Sequence, residues 1–257
     1  MKLVFLNIWG GRMFEPLMDF IKKESVNTDI FCLQEVFDSR ISTVFEGSRT
    51  DMFRKLKAAL SDFEVYYEPV SGRKITDLLK KTTIPVRYGV AIFVRKSITV
   101  KSSGSVLIWN DSNDKEEGDK DFNYIRFENK EQFFTVCNVH GKAFPGHKLD
   151  TDIRLAQSKK IIDFAKQEKG KVIIGGDFNL LPQAKSITMF EEAGFKNLIS
   201  EFKITSTRSE LNYSKFKPEE RQYFADYVFV SPGVTVKNFR APNVEISDHL
   251  PLILEVL

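Results

Sequence analysis

An acid and an amide, Asp177 and Asn179, stand two residues apart in GGDFNLLP (Gly175 to Pro182), where the apolar run Lys171 to Ile174 stops. A carboxylate beside a buried strand is costly without a partner. Either the pair caps a turn or it holds something from solution. The pattern recurs along the chain. Apolar runs end on Asn7 in LVFLN, Glu35 in IFCLQE and His140 in FFTVCNVH, while Asp226 opens DYVFV and Asp248-His249 precede LPLILEV. Singly, each is an ordinary strand-end or turn residue. Jointly they gather carboxylates, amides and two of the three histidines, the groups that move protons and take up cations, and they include no thiolate. Strand ends that meet along one rim of a sheet would form a rigidly mounted site.

The elements that would carry these groups are legible from periodicity. Runs rich in Val, Ile and Phe read as strands: Leu3 to Leu6, Ile30 to Leu33, Val90 to Val94, Val106 to Trp109, Phe133 to Val136, Val172 to Ile174, Tyr227 to Val230 and Leu252 to Leu254. Helical spacing appears at Phe14, Leu17, Met18 and Ile21, with Pro16 in the first turn, and again at Met52, Phe53, Leu56 and Leu60. A third helix runs from Asp152 to Glu168 with Ile153, Ala156, Ile161, Phe164 and Ala165 inward, and a shorter one closes at Gly194. Asn110 to Asp121 reads as an exposed hairpin loop. Ser71 to Arg87 collects five basic residues and reads as a solvated loop, with a path for a nucleic-acid backbone, built on Lys74, Lys80, Lys81 and Arg87, as its alternative. Without repeats or long linkers, residues 1 to 257 read as one mixed α/β domain of two packed sheets covered by helices.

Composition narrows the function class. The 257 residues are 42% hydrophobic and 28% charged, and 23 phenylalanines imply much buried aromatic area, which excludes disorder as the general state. A formal charge of +3 is too small for a dedicated nucleic-acid binder, though a local basic face is compatible with it. Asn7 interrupts the first apolar run before it reaches the length of a signal peptide, and no run spans a membrane. Cys32 and Cys137 lie in apolar runs, which points to free thiols in a reducing, cytoplasmic setting, and two cysteines lack the spacing of a zinc site.

The pieces LNIWGG, CLQEV, CNVHG, GGDFN, ADYVFVS and ISDHLPLI, in this order over nearly the whole chain, resemble the endonuclease/exonuclease/phosphatase superfamily, the fold of deoxyribonuclease I and exonuclease III. The resemblance implies a four-layer α/β/β/α sandwich, two central mixed or antiparallel sheets flanked by helices, and cation-assisted hydrolysis of phosphoesters. By motif, Glu35 is implied as the main metal-ligating carboxylate, with Asn7 beside it as a further oxygen ligand and Asp248 as a further acid at the metal. Asp177 and Asn179 are implied to place the attacking water and a phosphoryl oxygen, and Asp226 to orient His249. His140 stands where nuclease and phospholipase branches carry histidine and some abasic-site nucleases carry tyrosine, which speaks against an abasic endonuclease.

Oxygen ligands of this kind suit Mg²⁺ or Mn²⁺ as Lewis acid. His249 is open as base or as cationic phosphate clamp, and His140 could clamp the other side or assist the leaving group. Gly10-Gly11 reads as a turn that could also admit phosphate closely. Arg154, one helical turn from Gln157, is the candidate substrate contact, with bracing of the rim as its other reading. The expected activity is a Mg²⁺-dependent phosphodiesterase acting on nucleic acid, with no obligate protein partner. The rivals are a sphingomyelinase-like or inositol-phosphate hydrolase, and a non-catalytic nucleic-acid-binding module on the same fold.

Overall fold

The computed structural model describes residues 1–77, 82–109 and 120–257, with backbone alone at 70–77 and 82–83. Its strands are β1 (Lys2–Asn7), β2 (Ile30–Asp38), β3 (Val44–Phe45), β4 (Ser48–Arg49), β5 (Phe63–Asp77), β6 (Thr82–Arg95), β7 (Val100–Trp109), β8 (Lys120–Asn129), β9 (Gln132–His140), β10 (Lys171–Asp177), β11 (Lys196–Asn197), β12 (Asp226–Val230), β13 (Val236–Arg240) and β14 (Leu252–Val256). The helices are α1 (Phe14–Ser25), α2 (Met52–Ala59), α3 (Asp152–Gln167), α4 (Lys185–Glu192), α5 (Leu198–Glu201) and α6 (Glu210–Tyr213). Two six-stranded sheets result, ordered β13-β14-β1-β2-β6-β5 and β11-β12-β10-β9-β8-β7, and β3 with β4 forms a separate small hairpin. Both large sheets are mixed: β1 runs parallel to β2 and antiparallel to β14, and β10 runs parallel to β9 and antiparallel to β12.

The near-continuous apolar runs follow from strands covered on both faces. In β1, Leu3 and Phe5 face the second sheet, while Val4 and Leu6 pack with Leu17, Met18 and Ile21 of α1 and Leu56 of α2. β2 alternates in the same way: Ile30 and Cys32 serve the layer between the sheets, Phe31 and Leu33 the helix layer. The second sheet is backed by Ile161, Ile162 and Ala165 of α3 and by Ile187 and Phe190 of α4. The layers are therefore helix, sheet, sheet, helix. A polar tie crosses between the sheets: Gln34 Nε2 donates to Asn138 Oδ1 at 2.5 Å, and Asn138 Nδ2 donates to the carbonyls of Leu33 and Ala91 at 3.1 and 3.2 Å. Cys32 and Cys137 are buried free thiols. No helix among the described residues is long and apolar enough to cross a membrane.

Two expectations change. Residues 71–77 and 82–87 are strand rather than loop: β5 reaches Asp77 and β6 starts at Thr82, paired from Arg73↔Val86 to Asp77↔Thr82. Ladder hydrogen bonds hold this arm, and they leave no hydrophobic signature in the sequence. Arg87 pairs with Asp38, while Lys80 and Lys81 lie outside the described residues, as does 110–119 of the expected hairpin loop. In α3 the expected inward Ala156 is exposed, and Arg154, Gln157 and Ser158 are buried instead. The first turns of α3 face a loop full of carbonyls rather than the core, so polar groups occupy that face.

Candidate functional site

The strand ends do meet. Register pairs Asp177 with His140 on one side and with Asp226 on the other, and aligns Asn7 with Gln34, next to Glu35. Asn7, Glu35, Asp248 and His249 come from the first sheet and its approaches, and His140, Asp177 and Asp226 from the second. Glu35, Asp177, Asp248 and His249 line a cleft of about 390 Å³, together with Trp9, Arg12, Lys148, Asn179 and Arg208, and Asn7, His140 and Asp226 are buried behind them.

Local backbone geometry aims these groups. Glu35 sits at a register shift between β2 and β6 with φ +58°, and Asn179 has φ +56°. Left-handed non-glycine residues persist only where their surroundings over-determine them, and they cluster at functional sites. Asn179 is held by its own N–H donating to Asp177 Oδ1 at 2.8 Å, by its Nδ2 donating to the Gly141 carbonyl at 3.2 Å, and by Lys148 Nζ donating to its Oδ1 at 2.6 Å. Asp226 opens β12 beside Thr207, whose hydroxyl oxygen accepts the N–H groups of Ala225 and Asp226 at 3.0 and 3.1 Å.

At the floor of the cleft Asn7 links two acids. Its Nδ2 donates to Glu35 Oε1 at 3.2 Å and to Asp177 Oδ2 at 3.0 Å, while its Oδ1 accepts the Trp9 N–H at 3.0 Å. The backbone donor fixes which way the amide points, so Asn7 acts here as a clasp between carboxylates. Asp248 Oδ2 receives Asn212 Nδ2 at 3.1 Å and Arg208 Nη1 at 3.4 Å. Glu35 Oε2 has no donor among the described residues, and the Glu35 side chain keeps 29% of its exposure.

The two histidines are electrostatic opposites. His249 Nδ1 lies 2.9 and 2.8 Å from the two oxygens of Asp226, and its Nε2 lies 3.6 Å from Asp177 and 3.8 Å from Asp248. Burial and the Arg208 guanidinium push its pKa down, but the three carboxylates outweigh them and raise it to about 9. His140 Nε2 stands 3.8 Å from Asp177 and 3.9 Å from Glu35, too far for hydrogen bonds, and the Tyr88 ring packs against it edge-on. Burial first, then the Lys120 ammonium, lower its pKa to about 3, so it is neutral at pH 7. Burial alone would raise Asp177, yet His249 and the other nearby cations hold it well below the usual carboxylate range. Glu35 moves the other way, raised by burial and then by the Asp248 carboxylate.

This donor set fits a hard divalent cation. Glu35 offers an uncommitted oxygen beside Asp248, and clustered carboxylates with a raised Glu35 pKa are what an added positive charge would relieve. Asp177, Asp226 and His249 also place ligand atoms within 4.8 Å of one another. That trio is the poorer cage, because both Asp226 oxygens already engage His249 and a cationic imidazole cannot ligate.

Arg154, expected as a substrate contact or a brace of the rim, is buried among backbone carbonyls. It is 1% exposed, and its guanidinium donates to the carbonyls of Lys142, Ala143, Pro145 and Leu149. It braces the loop after β9. Lys148, Arg208, Asn212 and the Lys120–Tyr88 pair (2.9 Å) were not singled out from sequence. They arrive from loops or from a strand start without an apolar signature; the only available signal was basic residues close to a recognised motif, as in Lys148 after CNVHG.

A family model described as the Endonuclease/Exonuclease/phosphatase family matches residues 4–249. A UPF0294 protein of Vibrio parahaemolyticus is 28% identical over 143 residues, covering 52% of this chain and 43% of that protein, so the match spans less than half of the relative's length. Among solved structures, an endonuclease/exonuclease/phosphatase family protein from Leptotrichia buccalis superposes with TM-score 0.74 at 16% identity, covering 100% of this chain and 99% of the other. A mannosyl-6-phosphatase of Bacteroides thetaiotaomicron gives TM-score 0.69 at 16% identity, with 100% and 99% covered.

Proposed function

Because the chain belongs to the endonuclease/exonuclease/phosphatase family, whose members hydrolyse phosphoester bonds, we propose that it is a Mg²⁺- or Mn²⁺-dependent phosphodiesterase of the cytoplasm that acts on nucleic acid. One observation carries the reading: Asp177 is surrounded at 3.0 to 3.8 Å by Asn7, His249 and His140, at the floor of a cleft that Glu35 and Asp248 also line. Glu35 and Asp248 would hold the cation, with Asn7 fixing Glu35. The cation supplies Lewis-acid charge that offsets the extra negative charge on a five-coordinate phosphorus.

The chain's own groups do the rest. Asp177, ionised and anchored by Asn7 and the Asn179 N–H, accepts a hydrogen bond from the attacking water. Asn179 has a second amide N–H beyond the one on Gly141, and it donates to a phosphoryl oxygen. His249, turned by Asp226 so that Nε2 faces the cleft, clamps another oxygen. Neutral His140 sits across Asp177 from it and can donate only a ring N–H hydrogen bond to a phosphoryl oxygen, so the proton for the departing alkoxide is the one that cationic His249 carries. The buried free thiols support a reducing compartment.

The test is a panel of single- and double-stranded DNA, RNA, sphingomyelin, inositol phosphates and sugar phosphates, assayed with Mg²⁺ and again after EDTA. Metal-dependent cleavage of DNA or RNA is expected. Turnover of only the lipid or small phosphates overturns the substrate assignment, and binding of nucleic acid without any turnover overturns the enzyme.

A further inference from the structure

The turn after β1 is built at a cost that the metal site does not explain. Trp9, Gly10 and Gly11 are three successive left-handed residues, at φ +51°, +60° and +72°, and tryptophan has no intrinsic reason to adopt that region. The seat beneath the turn is full. A Cβ on Gly10 would stand 2.6 Å from the Phe37 ring and 2.7 Å from Ser48 Oγ, and one on Gly11 would stand 2.3 Å from Met52 Sδ. The turn is thus held in one shape, and it presents at the cleft an indole that two cations approach, one of which, Arg12, also lines the cleft.

The Arg12 guanidinium lies 4.8 Å from the centre of the Trp9 ring, and Lys215 Nζ, from a segment some two hundred residues away in sequence, lies 4.9 Å from it. Arg12 has one further contact, Nε donating to Ser48 Oγ at 3.3 Å, and among the described residues neither cation has a carboxylate partner. Glu46 lines the same wall and forms an ion pair with neither. The cations that line the cleft besides Arg12 are engaged: Arg208 with Asp248, Lys148 with the oxygens of Asn179 and Ala143, and His249 with Asp226. An indole stabilises a cation without neutralising it. Two cations parked in this way keep their charge for an incoming anion.

We infer that Arg12 and Lys215, seated on Trp9, form a second anion subsite that takes a phosphate neighbouring the one attacked at Asp177. The subsite rests on the phosphodiesterase reading of the adjoining centre and narrows its substrates to molecules with two phosphates. The second phosphate can belong to the next link of a polynucleotide or to a small bisphosphate, and the recognising chemistry is shared.

The experiment compares kcat/KM for a dinucleoside monophosphate with that for the 5′-phosphorylated dinucleotide, a trinucleotide and a small bisphosphate that contains one diester, a nucleoside 5′-phosphate 3′-(4-nitrophenyl phosphate), in the wild-type protein and in R12Q/K215Q. A preference of about tenfold for two phosphates, carried by KM, is expected in the wild type, from one or two charge-assisted contacts at an exposed rim. That preference should collapse toward unity in the double variant. General damage to the fold would depress all substrates alike and leave the ratio in place. Preference shared by the bisphosphate assigns the small-molecule source, and preference confined to the oligonucleotides assigns the polynucleotide. No preference in the wild type, or an undiminished one in the variant, overturns the subsite. If the wild type cleaves none of these, the phosphodiesterase reading fails separately. Titration with inorganic pyrophosphate and phosphate, followed by tryptophan fluorescence, then decides the subsite: tighter pyrophosphate binding lost in R12Q/K215Q supports it, and equal binding overturns it.

Discussion

Replacing Arg154 with leucine removes a guanidinium that serves four carbonyls: Pro145 and Leu149 at 2.7 Å, Ala143 at 2.9 Å, and Lys142 from both Nε and Nη2 at 3.3 Å. An acceptor left unpaired in a buried setting costs about 1–3 kcal/mol. The carbonyls of Ala143, Pro145 and Leu149 are reached by partly buried bonds and can recruit water, so the lower half of that range applies to them. Leucine also avoids the desolvation that a buried charge suffers. The balance is a loss of about 2–4 kcal/mol, read from the shift in denaturation midpoint at constant m.

A second consequence is local. Lys148 sits beside one of the braced carbonyls and donates to Asn179, so the variant should also lose kcat on a small chromogenic phosphodiester. Arg154→Lys should recover part of the stability, since an ammonium supplies three donors without the planar fork. An unchanged midpoint combined with a raised KM would return Arg154 to the role of substrate contact and refute the bracing argument.

Glu35→Gln should shift the Mg²⁺ activation curve to higher concentration and abolish the rise in melting temperature that Mg²⁺ gives the wild type, because binding to the folded state alone stabilises it; identical metal-dependent melting in both proteins would remove Glu35 from the metal site. Gly11→Ala, with φ +72° and a Cβ 2.3 Å from Met52 Sδ, should destabilise by about 2–4 kcal/mol, from backbone strain plus overpacking, whereas Gly194→Ala, left-handed but with open space around it, should lose only about 1–2 kcal/mol in thermal melts. Glu168 accepts both Arg126 Nε and Nη2 at 2.6 Å and the Thr135 hydroxyl at 2.9 Å, and Arg126 bonding holds its pKa below the usual value. Glu168→Gln should therefore cost about 1 kcal/mol at pH 7, discounted for the solvent screening of a guanidinium that is 36% exposed. This contribution is present above the unfolded-state pKa and lost as pH falls through the lower folded one, so wild type and variant should converge under acid; a gap that widens toward low pH would contradict the pairing.

What the sequence discloses follows from how each residue reaches the cleft. Asn7, Glu35, His140, Asp177, Asp226 and His249 interrupt apolar runs, so their polarity stands out, and the double-faced burial of β1 and β2 made those runs readable as strands. Arg208 and Asn212 come from the polar stretch around α6, where one more charged or amide residue carries no contrast, and only the tertiary path beside Asp248 gives them meaning. The β5–β6 arm leaves no trace in the sequence because a two-stranded ladder is held by backbone groups that every residue possesses. The burial of Arg154 is not legible, because a guanidinium set against a carbonyl-rich loop leaves the same letter in the sequence as an exposed one.

The cluster draws on both sheets, and two of its hydrogen bonds cross from one to the other: Asn7 to Asp177, and His249 to Asp226. Neither sheet alone contains a working set. A folding chain that has completed each sheet, but not yet pressed them together, would be well structured and chemically silent. Restored turnover during refolding would then time the docking of the two halves, and far-ultraviolet dichroism, which registers strands and helices regardless of their mutual placement, should recover before it.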